Sequence, residues 1–146
     1  AIRDEKKKAL VERIDQRLAQ INANRTGIML RHLTKIEEVL TRIETRTNTV
    51  ATSGKDVTAV RTAITTARTA ITTARTTVTA QAAKNYAINI TTEANLGSAV
   101  STTRQAFAKD LQAAHQSVVT ARKSVRDVLK ALAKVVGEKL TNTTEK

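Results

Sequence analysis

Apolar residues recur along this chain at alternating steps of three and four. In the first third they fall at Val11, Ile14, Leu18 and Ile21, then at Met29, Leu33, Ile36, Leu40 and Ile43. That alternation keeps one stripe of a helix apolar, and when sustained it is the heptad seam of packed helices. The spacing predicts a first helix over about 3–48. Between Ile21 and Met29 the seam passes through Arg25 in two steps of four, a stutter that locally unwinds a supercoil. Asn22, Asn24 and Gly27 share that stretch, so a kink is expected there, with a full break at 22–27 as the lesser alternative. Because the seam resumes at once, the reading keeps one helix.

Residues 47–55 (TNTVATSGK) read as a turn: Ser53-Gly54 is a turn signal, and glycine suits the end of a helix. Asp56 is then placed to cap the next helix. Residues 57–80 carry an internal repeat, RTAITTA, RTAITTA and RTTVTAQ, with a period of seven. Val57, Ile64, Ile71 and Val78 occupy one seam position, and Val60, Ala67 and Ala74 the other. Thr and Ile favour strands, but a strand repeats every second residue and this pattern does not. A helix over about 56–90 follows, and its seam alanines let a neighbour approach closely.

The threonines of that helix set an energetic condition. Thr costs about 0.5 kcal/mol relative to Ala at each helical position. The ten between Thr58 and Thr79 together cost on the order of 5 kcal/mol. An isolated helix does not survive that, so packing must hold it. A third helix is expected over about 98–140, capped by Ser98 or Ser101. Its seam runs through Val100, Phe107, Leu111, Ala114, Val118, Ala121, Val125, Val128, Leu132 and Val135, with Arg104 as the polar intrusion. Residues 91–96 form a connection, and the tail 141–146 is expected to fray. The whole chain, 1–146, is read as one all-α domain: an elongated antiparallel three-helix bundle, coiled-coil-like and running up-down-up.

Composition sharpens this picture. The chain has no proline, no cysteine and one aromatic residue of each kind present, Tyr86 and Phe107. Absence of proline fits long helices. A core of Ala, Val, Ile and Leu fills a slim seam but builds no aromatic-lined ligand cavity. Absence of cysteine excludes disulfides, zinc-thiolate sites and thiol catalysis. No apolar run approaches the roughly 20 residues of a membrane helix, so no membrane span is expected. The formal charge is +12, which favours polyanionic partners without naming one.

Candidate chemistry is sparse. His32 and His115 have no acidic residue at helical metal-pair spacing, and adjacent Glu37 and Glu38 diverge around a helix. No phosphate loop or nucleophile motif is present. No enzyme activity, catalytic residue, metal or cofactor is expected. Arg61, Arg68 and Arg75 recur every seven residues, with Lys84 beyond them. This is a candidate stripe for a partner or for helix register. Arginines at such positions commonly pair with carboxylates of a neighbouring helix, here Glu12, Asp15, Glu37, Glu38 or Glu44. The alternative is a polyanion-binding strip. Nucleic acid is disfavoured, since stacking aromatics and a binding motif are missing. Asn24, Asn89 and Asn142 each begin an N-glycosylation pattern. The Thr-rich surface is also a candidate for O-linked sugar in an exported protein.

At GKDVTAVRTAITTARTAITTARTTVTAQAAKNY and LVERIDQRLAQINANRTGIMLRHLTKIEEVL the chain resembles a group of uncharacterised exported helical proteins of ultrasmall candidate-phyla (Patescibacteria-type) bacteria. The likeness covers most of the chain, including ITTEANL and VVTARKSVRDVLKALA. It implies a signal peptide removed before Ala1 and a secreted or cell-surface location. Trimming of a longer chain accounts for the opening Ala1 equally well. The group offers no activity or binding residues to carry over, and this chain is richer in Thr and Arg. The function expected is a structural subunit at the cell surface or outside the cell, self-assembling into a filament or fibre through lateral helix packing. Its partner is then a second copy of itself, as homo-oligomer or polymer. The alternative is an extracytoplasmic binding module for acidic polymers or protein clients.

Overall fold

The computed structural model of the protein describes the backbone of residues 2–88 and 96–144 and the side chains of residues 5–88 and 96–137. Among the described residues there are three helices and no strand: α1 (Ile2–Thr52), α2 (Thr58–Ala82) and α3 (Leu96–Thr144). Each helix packs against the other two. They form an antiparallel three-helix bundle, with α1 and α3 pointing the same way and α2 running back between them. At 1.5 Å per residue, α1 is about 75 Å long, so the bundle is a rod.

The core is the overlap of the three heptad seams. Leu33, Leu40, Val60, Ala67, Ala74, Val78, Ala121 and Val128 are fully buried. Alanines at core positions let the helix axes approach closely, where a larger side chain would hold them apart. All seven seam residues expected on the repeat helix, from Val57 to Val78, are buried.

Four points bear on the expected boundaries. First, α1 is one helix through residues 22–27, as the resumed seam led us to expect. Its core stripe there does not pass through Arg25, which is exposed, but through buried Asn22 and Thr26. Thr26 satisfies its hydroxyl on the Asn22 carbonyl at 2.7 Å, so polar residues carry the core through the stutter.

Second, α1 continues past residue 48 to Thr52. Thr47 takes the next core position, fully buried, with its hydroxyl on the Ile43 carbonyl at 2.7 Å. Ser53 and Gly54 then turn the chain, Gly54 at a φ of 93° that glycine adopts without steric cost. Asp56 accepts from the Thr58 amide at 3.0 Å and from its hydroxyl at 2.6 Å. Both bonds favour the carboxylate and hold its pKa below the ordinary value. The helix proper begins after Val57, so the capping carboxylate stands one residue earlier than expected.

Third, α2 stops at Ala82 and not near residue 90; residues 84–88 are non-helical. The polar side chains that end it are described below. Fourth, α3 begins two residues earlier than expected, at Leu96, and continues to Thr144. Most of the expected tail therefore has helical backbone.

Candidate functional site

Three places gather polar chemistry. The first is a hydrogen-bonded hub joining all three helices. Heptad spacing carries the α2 seam from Ala74 and Val78 to Gln81, which is buried although polar. Asn22 of α1 faces it. Asn22 Nδ2 donates to the Gln81 carbonyl at 2.9 Å, and Gln81 Nε2 donates to Asn22 Oδ1 at 3.1 Å. The first bond gives the Gln81 carbonyl a second donor beside the Lys84 amide, which reaches it at 3.1 Å. Gln81 Nε2 also donates to the Tyr86 hydroxyl at 2.9 Å, which donates to Asp110 Oδ2 of α3 at 2.7 Å. Lys84 Nζ lies 3.3 Å from the same carboxylate oxygen.

The Tyr86 ring meets Phe107 edge-on, with centroids 5.0 Å apart, so the chain's two aromatics sit together. Ile88 N donates to Asp15 of α1 at 3.2 Å. Continuing α2 to residue 90 would forfeit the Tyr86 and Ile88 contacts, which explains its early end. Burial, then the bond to Asp110, raises the Tyr86 pKa. The Tyr86 bond, then Lys84, lowers that of Asp110. The hub has no unpaired buried side-chain atom. Bonded groups of this kind fix helix register.

The second place is the arginine stripe of α2. Arg61 donates to Asn48 Oδ1 at 3.1 Å. Arg68 forms an ion pair with Glu44, its Nε donating at 3.2 Å. Arg75 reaches Glu37 at 2.6 Å and Thr34 at 3.4 Å. All three therefore reach across to α1, each a heptad further along the antiparallel pair. Lys84 does not continue this line; it belongs to the hub. With these pairs partly exposed, the stripe sets alignment more than it adds stability.

The third place escaped the sequence reading. Between α1 and α3 runs an open groove of about 280 Å³ with Ile36, Val39 and Leu129 in it and Lys35, Arg122 and Arg126 beside it. Val39 is 42 % and Leu129 52 % exposed. A second depression on the same side is lined by Arg25, Met29, Leu111 and His115. No carboxylate lines either one. The available signal was the run Lys35, Val39, with Ile28 eleven residues before, at helical spacing off the core stripe.

The glycosylation candidates fare differently. Asn24 is exposed but lies inside α1, and Thr26 of its pattern is buried and bonded. Such patterns act in surface loops, so the helix disfavours Asn24. Asn89 lies outside the described residues, as does the side chain of Asn142. Among the described residues no three His, Asp or Glu side chains are grouped to hold a metal ion, and no helix is long and apolar enough to cross a membrane.

No protein-family model matches this chain, and no curated protein or solved structure matches it.

Proposed function

We propose that this chain is a non-catalytic structural subunit that packs side by side with copies of itself, outside the cell, through the outer face of α2. One observation carries the reading: that face is long and uncharged on a protein of formal charge +12. The only charged residues of α2 are Arg61, Arg68 and Arg75, and all three are drawn onto α1. What remains outward is a field of exposed threonines from Thr58 to Thr79. The hydroxyls of Thr62, Thr65, Thr66 and Thr69 bond back to the carbonyls four residues earlier. Their hydrogens are thus occupied and their methyl groups are on offer. Two copies meeting here avoid the like-charge repulsion that other faces of the rod would impose. The location rests on the resemblance to exported proteins.

Thr66→Lys with Thr73→Lys tests this. Lys has the better helix propensity, so the fold is kept. Sedimentation across a concentration series at physiological salt is expected to show large assemblies for the parent chain and monomer for the double variant. A parent chain that stays monomeric at high concentration overturns the proposal.

A second reading, a module that holds acidic polymers or protein clients, is favoured by the cations along the α1–α3 groove.

A further inference from the structure

We propose that the groove between α1 and α3 docks an acidic amphipathic α-helix of a partner protein. The inference deepens the second reading above and is independent of lateral assembly.

The groove brings two features together. Its floor is apolar: Ile36 and Val39 from α1 face Leu129 from α3, and Val39 and Leu129 are among the few large apolar side chains left exposed. Its edges are basic: Lys35 stands on one side, Arg122 and Arg126 on the other. Among the described residues none of these three cations makes an ion pair or hydrogen bond. On the α1–α2 side, by contrast, Arg68 and Arg75 each have a carboxylate. The charges of the groove are therefore spare, and an occupant that supplies carboxylates on either side of an apolar stripe satisfies both features at once.

A helix meets the geometry. The groove follows two parallel helices, and Arg122 and Leu129 stand seven residues apart, two turns, the repeat on which a third helix presents its own apolar residues. A second copy of this chain is the poorer fit: α2 has no acidic residue, Glu37 and Glu44 of α1 are already paired, and a formal charge of +12 on each copy opposes the approach. A plain polyanion would neutralise the rim and leave Val39 and Leu129 in water.

Fluorescence anisotropy with the full chain tests this against designed probes. The main probe is a labelled peptide of three heptads with Leu at the seam positions and Glu flanking them. Its controls are a scramble of equal composition, heparin, and phosphatidylglycerol vesicles. The seam peptide is expected to bind and the scramble to bind at least tenfold more weakly. Val39→Ser with Leu129→Ser is expected to weaken seam-peptide binding about tenfold. Arg122→Gln with Arg126→Gln should weaken it as much and flatten its salt dependence. Arg61→Gln, on the other seam, should leave it unchanged.

Equal binding of seam and scramble, or indifference to both groove double variants, overturns the proposal. Binding of heparin alone would keep the acidic-polymer reading while removing the helical partner. Binding of vesicles alone would replace the helix with a lipid surface. The same measurement in the Thr66→Lys, Thr73→Lys background should give the same affinities, so the result does not depend on assembly.

Discussion

The two long seams of α1 use basic residues in opposite ways. Toward α2, Arg61, Arg68 and Arg75 meet Asn48, Glu44 and Glu37, so that positive charge becomes alignment. Toward α3, Lys35, Arg122 and Arg126 stand around exposed Val39 and Leu129 with no carboxylate among them. The cause lies in what α1 presents on each side. Its acidic residues Glu37 and Glu44 stand seven residues apart on the α2 side, matching the heptad of arginines. On the α3 side α1 presents Lys35 and Val39 to the groove. A formal charge of +12 is thus not spread evenly: it is cancelled where two helices must keep register and left standing where a third surface can approach.

The largest effect that would test this contrast comes from adjacent residues of α1. Leu40 is fully buried, whereas Val39 faces the groove. Leu40→Ala is expected to lower unfolding stability by about 2–5 kcal/mol. Val39→Ala should stay within about 0.5 kcal/mol of the parent. Urea denaturation followed by circular dichroism measures both, and equal losses would mean that the groove is core.

Next comes the hub at the far end of the α1–α2 seam. Asn22→Leu leaves an amide hydrogen of the buried Gln81 side chain without its acceptor and should cost about 1–3 kcal/mol. Adding Gln81→Leu replaces both partners by apolar groups, and most of the loss should return. A double-mutant cycle by the same denaturation reads the coupling; strict additivity would show that the pair does not act as a unit.

The smallest effects compare the arginines themselves. Arg68→Gln breaks a half-exposed ion pair and should cost less than about 1 kcal/mol. Arg122→Gln breaks none and should change stability by under about 0.5 kcal/mol, toward the stable side if repulsion along the groove is felt. Repeating both melts in high salt should shrink the difference between them, since screening weakens exposed charges.

Much of the fold was legible because heptads are redundant. The repeat RTAITTA states its seam three times over, and every one of its seam residues is buried. The pairing of Arg68 and Arg75 with Glu44 and Glu37 was among the alternatives the spacing allowed. The Asn22 to Thr26 core was missed because an apolar stripe was followed to Ile21 and through Arg25, while the true frame carried polar residues. Gln81 was hidden in the same way: the heptad placed it in the core, but an amide there makes sense only once Asn22 is known to face it.

The sequence alone determined that this chain forms long helices with one narrow apolar stripe each, because a sevenfold repeat satisfies only that geometry. Tertiary structure alone decided where α2 ends and which arginines are spent. An amide, a phenol and a carboxylate far apart in the chain can outbid continued helix only when folding brings them together, and a cation is spare or paired according to what the neighbouring helix holds opposite it.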